Sequence, residues 1–93
     1  MMDKIRKSDA WLYLEGLAGK DGPPKEVDQR IKEKYKGTSI ECDPYSYELD
    51  CLADEITSSD EYQGYEAFMK SLPENMAEAF YRTGMDHRLM IRK

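Results

Sequence analysis

Ninety-three residues suffice for one small domain, and 14 Lys and Arg against 19 Asp and Glu leave a net charge of -5. That length excludes a multidomain enzyme. The low pI, near 4.9, argues against a nucleic-acid binder driven by counterion release.

Leu, Ile, Val and Phe together number 15, about 16% of the chain, a share at which disorder competes with folding. Seven Tyr, six Met and one Trp offset it, and mixed charge keeps self-repulsion weak. The expectation is a folded domain of modest stability spanning residues 1–93. The longest apolar run, Trp11 to Leu14, is far short of the ~20 residues that cross a bilayer. The first nine residues carry basic side chains without the apolar region of a signal peptide. The expected location is therefore the cytoplasm, where Cys42 and Cys51 would stay free thiols.

The first helix begins near Asp9, with Ala10, Trp11, Leu14, Leu17 and Ala18 on one face, and ends at Gly19. Ile5 and Leu12 lie nearly opposite that face, so the helix either sits between other elements or leaves part of itself exposed. Lys20 to Pro23 reads as a turn. Pro24 suits the first position of a second helix that runs to Lys36, with Val27, Ile31 and Tyr35 as its thin apolar stripe and Gly37 as its cap. Asp43 and Pro44 start a third helix to Thr57, where Tyr45, Leu49, Leu52 and Ile56 form a clean stripe. Capping-box spacings at Ser58/Glu61 and Ser71/Glu74 predict two more starts. The fourth helix would bury Tyr62, Tyr65, Phe68, Met69 and Leu72, and the fifth Met76, Ala77 and Phe80 before stopping at Gly84. Beyond it, Met85, His87, Leu89 and Ile91 alternate with polar residues and suit a strand as well as a frayed helix. Residues 38–42 are its only candidate partner. The fold class is thus mainly α, a small single domain of four to five short helices, with residues 38–42 and 85–91 as the two candidate strands of a β ribbon.

Charge is unevenly spread. Residues 1–40 and 67–93 each carry a net +2, whereas residues 41–66 hold nine carboxylates and no Lys or Arg. In a helix from Pro44 to Thr57, Glu48 and Glu55 share one edge of the apolar stripe, and Asp50 and Asp54 share the other. Like charges four residues apart repel by a few tenths of a kcal/mol, about 0.2–0.5, so this pair does not serve the isolated helix. Tyr47 stands on the same side. Nine carboxylates in this stretch can imitate a run of phosphates, since duplex DNA carries one charge per ~1.7 Å of axis.

Other chemistries find little. The basic residues Lys25, Arg30, Lys32, Lys34 and Lys36, and Arg88, Arg92 and Lys93, are diluted by acids, and direct nucleic-acid binding is not expected. Cys42, Cys51 and His87 lack a paired-ligand motif, Asp43, Asp50 and Asp54 do not follow calcium-loop spacing, and no glycine loop cradles phosphate. No metal or cofactor is expected. His87, the single histidine, would need Cys51 or Ser46 as a distant nucleophile, and an enzyme is not expected either. The methionines read as core fillers.

The expected function is therefore non-enzymatic binding of a basic, nucleic-acid-binding protein partner through Tyr45, Tyr47, Glu48, Asp50, Asp54, Glu55, Asp60, Glu61 and Tyr62, with no membrane involved. In size, acidity and lack of catalytic residues the chain resembles, in general character, the small inhibitors made by phages and mobile elements against host nucleic-acid-binding defence complexes, anti-CRISPR proteins among them. The alternative is a structural or regulatory interaction module that forms a homodimer or docks an apolar helix face, using Ile5, Leu12 and the methionines.

Overall fold

A computed structural model describes residues 2–92, and among them it contains seven helices and no strand. They are α1 (Met2–Arg6), α2 (Asp9–Ala18), α3 (Lys25–Lys34), α4 (Pro44–Ser58), α5 (Tyr65–Ser71), α6 (Glu74–Thr83) and α7 (Met85–Met90). The radius of gyration, 12.9 Å, is close to the ~12 Å expected of a compact chain of this length.

Ser8 separates the first two helices. Its hydroxyl donates to the Ile5 carbonyl at 2.6 Å and accepts from the Trp11 N–H at 3.3 Å, so one side chain closes α1 and caps α2. α2 then buries Ala10, Trp11 and Leu14, packed among α1, α3, α4 and α6. This settles the face opposite the stripe: Ile5 belongs to α1 and is buried, and Leu12 is half-buried. After Gly19 the chain doubles back so closely that a Cβ on Gly16 would stand 2.3 Å from Pro23 Cα. Gly22, at φ +75, makes that reversal without the steric penalty of a side chain.

Asp43 caps α4 by accepting from the Ser46 N–H at 3.3 Å, and Pro44 sits in the first turn, as the sequence suggests. The predicted stripe is buried at Leu49, Leu52 and Ile56, with Tyr45 half-buried at its start. Trp11 anchors the core between Phe68 and Phe80, edge-on to both at centroid distances of 6.5 and 5.8 Å. Leu14, Met69, Met76, Met85 and Leu89 complete it. Full burial of each large side chain contributes roughly 1.5–3 kcal/mol, and the flexible methionines fill the spaces between rings.

Among the described residues seven helices stand where four to five were expected, and several finer expectations need correction. The ribbon of residues 38–42 with 85–91 does not form. Residues 38–42 are successive turns, with Glu41 N–H on the Thr38 carbonyl and Asp43 N–H on Ile40, so their backbone groups are spent locally. Residues 85–90 are helical, and the reason shows in which side chains go inside: Met85 and Leu89, four apart, are fully buried, while His87 and Ile91 are exposed. The Ser58/Glu61 capping box also fails. α4 carries its stripe through buried Ile56 to Ser58, Ser59 instead accepts from Glu61 N–H at 3.2 Å, and α5 starts only after Gly64, at φ +112. Tyr62 therefore lies in the loop, packed on Phe68 at 5.9 Å. Likewise Ser71 donates back to the Phe68 carbonyl at 2.6 Å, and Pro73 occupies the cap position of α6 without a side-chain cap. Ala77 is only half-buried, and Ala79 takes the inner position beside Met76 and Phe80. Finally, α3 begins one residue after Pro24 and stops at Lys34, so its cap position is Tyr35 and Gly37 turns the chain two residues later at φ +80.

The Gly16 contact gives a sharp test. Alanine is the better helix former by roughly 1 kcal/mol, but its Cβ would meet backbone, which no rotamer change relieves. Gly16→Ala should destabilise by about 1–3 kcal/mol in urea unfolding. Gly19→Ala, whose Cβ meets nothing closer than 3.6 Å, should change stability by less than about 0.5 kcal/mol. Equal midpoints for the two variants would remove the close approach of the turn to α2.

Candidate protein-interaction surface

The nine carboxylates of residues 41–66 divide by what the fold does with them. Glu48 is turned inward, its side chain 8% exposed, and accepts from Lys34 Nζ at 2.9 Å and from the Tyr35 hydroxyl, both at the end of α3. It does not present a charge to a partner. Asp50 and Asp54 face α7. Arg88 Nε reaches Asp50 Oδ1 at 2.7 Å, and Arg92 Nε reaches Asp54 Oδ1 at 2.5 Å. Two acids four apart on α4 are thus matched by two arginines four apart at the C-terminus, which explains why a repelling pair is present in the helix. Arg88 is held further by donating to the Thr83 carbonyl and the Ser46 hydroxyl, each at 3.0 Å. Arg92 donates to the Arg88 carbonyl at 2.9 Å.

Two more carboxylates do local work: Asp43 caps α4, and Glu41 accepts from the Gly37 N–H. The remaining four, Glu55, Asp60, Glu61 and Glu66, are exposed. Glu55 lies two turns beyond Glu48, where the stripe edge is no longer covered by α3, beside Lys4, Ile5 and Ser59 in a shallow depression. Asp60 and Glu61 follow directly in the loop. Glu55, Asp60 and Glu66 form no ion pair among the described residues. The last turn of α4 contains no basic residue, although that end of a helix carries a partial negative charge that cations normally offset. Two exposed carboxylates outside these ion pairs, Glu55 and Asp60, therefore sit at the end of α4 and in the loop after it, with Lys4 beside Glu55 and Arg6 beside Glu61.

The three tyrosines of the predicted site part company as well. Tyr45 stacks on Tyr13 at 5.0 Å and donates its hydroxyl to Asp28 of α3, and Tyr62 packs inward on Phe68. Tyr47 remains the exposed ring, 43% accessible, with Tyr35 edge-on at 5.2 Å. The signal that could have sorted these residues lies in register: Arg88 and Arg92 share the four-residue spacing of Asp50 and Asp54.

Among the described residues His87 is exposed, and no group of three His, Cys, Asp or Glu side chains could hold a metal. Both cysteines are free. Burial, then the Glu48 charge, raises the Cys51 thiol pKa, which disfavours the reactive thiolate. A concavity of about 480 Å³ between α3 and the start of α4 is lined by Lys32 and Lys36 together with Glu33 and Glu41. No helix of the described residues is long and apolar enough to cross a membrane.

Tyrosine ionisation tests this arrangement. Burial raises the phenols of Tyr13, Tyr35, Tyr45, Tyr62 and Tyr65, helped by Asp28 at Tyr13 and Tyr45, Glu48 at Tyr35 and Asp86 at Tyr65. A folded pKa above the unfolded value of about 10 contributes stability that is complete below that pH and lost as pH rises through the folded value. Ultraviolet titration should show these five tyrosines ionising late, together with loss of the helical circular-dichroism signal. Their ionising near pH 10 with helicity intact would contradict it.

Comparison with family models, with curated proteins and with solved structures returns no significant match.

Proposed function

We propose that the protein is a non-enzymatic binder of a basic, nucleic-acid-binding protein, and that it inhibits or modulates this partner by occupying its nucleic-acid site, in the manner of the small inhibitors of phages and mobile elements. The observation that supports this is the exposed charge at the end of α4: Glu55 and Asp60 are exposed and outside the ion pairs described above, and the last turn of α4 carries no basic residue of its own. A cationic surface placed there relieves carboxylate repulsion and offsets the helix terminus together. Such a patch steers association and makes it sensitive to salt. Tyr47 adds exposed aromatic area on the neighbouring face of α4. Asp50 and Asp54, already carrying arginines of their own chain, contribute less than Glu55 and Asp60.

A second reading, self-association or apolar docking, has its own observation. Tyr81, Met90 and Ile91 are exposed by 57, 46 and 64% at the α6–α7 end of the molecule, whereas Ile5, Met69, Met76 and Met85 are in the core. Salt separates the two, because exposed charges are screened beyond about 10 Å at 0.1 M. The test is capture of partners from lysate on immobilised protein, washed in rising salt and challenged with duplex DNA or RNA. A nucleic-acid-binding protein should elute at moderate salt, compete with nucleic acid, and bind at least tenfold more weakly to Glu55→Lys with Asp60→Lys, whose helicity is unchanged. Capture that ignores both salt and the double substitution overturns the acidic reading and favours the apolar one.

A further inference from the structure

We infer that α3 and the turns that follow it, residues 25–43, form a flap that opens as a unit while the other helices stay packed. The core cluster draws buried side chains from α1, α2, α4, α5, α6 and α7 and none from α3. α3 buries only Val27 and Ile31, which stand outside that cluster on the side facing α2 and α4. The rest of its attachment is polar and lies at its edges. Arg30 bonds Asp9 of α2 at 2.9 Å, Asp28 receives the Tyr45 hydroxyl, and Lys34 and Tyr35 share Glu48 of α4. The Arg30 and Lys34 side chains are half exposed, while Asp9 and Glu48 on the body are largely covered; water already reaches the two cations and reaches both carboxylates once the flap lifts. Elements with few buried apolar contacts and many solvent-accessible polar ties are the first to open locally.

Both ends of the segment are pinned to the body. Pro23 is packed against Gly16 on α2, and buried Pro44 with the Asp43 cap fixes the start of α4. Between these pins, Gly37 at φ +80 turns the chain after α3. Lifting residues 25–43 leaves the Tyr13–Tyr45 stack in place, because both rings belong to the body. It uncovers the seat of Ile31 and frees Asp9 and Glu48 from their cations.

Native-state hydrogen exchange on the full chain, in denaturant below the unfolding transition, reads this directly. The slowest amides of α3 should exchange at least tenfold faster than the slowest of α4 and α6, with a weaker dependence on denaturant. Arg30→Gln should accelerate α3 about threefold further and leave α6 unchanged. Exchange of α3 in step with α4 and α6 overturns the inference, as does equal acceleration of α3 and α6 by the variant.

Discussion

The arrangement of this molecule depends on α4 carrying acids whose cations come from two different helices. On one edge, Glu48 draws Lys34 and Tyr35 from the end of α3. On the other, Asp50 and Asp54 draw Arg88 and Arg92 from the C-terminus. The charge asymmetry along the chain, net +2 on either side of an acidic block, is therefore partly an internal matter, since Glu48, Asp50 and Asp54 take cations from the flanking segments. It brings distant segments to the one long helix between them. Glu55 and Asp60, exposed and outside these pairs, are the carboxylates on which the proposed function rests.

These contacts orient more than they stabilise. Isolated ion pairs at a surface contribute about 0–1 kcal/mol, and Arg92 to Asp54, whose carboxylate side chain is 69% exposed, belongs in that class. Arg88 differs because its guanidinium is 81% covered as a side chain and bonds a carboxylate, a hydroxyl and a backbone carbonyl at once. Stability comes from the apolar side, where Trp11, Phe68 and Phe80 meet edge-on and Met85 and Leu89 seat α7.

Much of the helical pattern was legible in the sequence because it is local. The Tyr45–Leu49–Leu52–Ile56 stripe, the Asp43–Pro44 start and the Gly84 stop each rest on a few neighbouring residues, and Gly84 does stand at φ +77 with its N–H on two carbonyls of α6. The failures have tertiary causes. Alternating Met85, His87, Leu89 and Ile91 fits a strand and a helix equally until the core selects Met85 with Leu89. Ser71 had a closer use for its hydroxyl than a capping box. The candidate site was legible as composition and not as surface: Glu48 and Glu55 occupy the same helical edge, yet α3 covers one and leaves the other in water. Charge counting sees nine acids; only the register of Arg88 and Arg92 against Asp50 and Asp54 shows which of them are taken.

A double-mutant cycle between Asp50 and Arg88, using Asp50→Asn and Arg88→Met in urea unfolding, tests the internal matching most directly. If the arginine docks α7 through this carboxylate, the two substitutions are non-additive, with a coupling of about 1 kcal/mol that shrinks as salt is raised. Strict additivity, within about 0.3 kcal/mol, would mean that α7 is held by Met85 and Leu89 alone and that Asp50 is as free for a partner as Asp60.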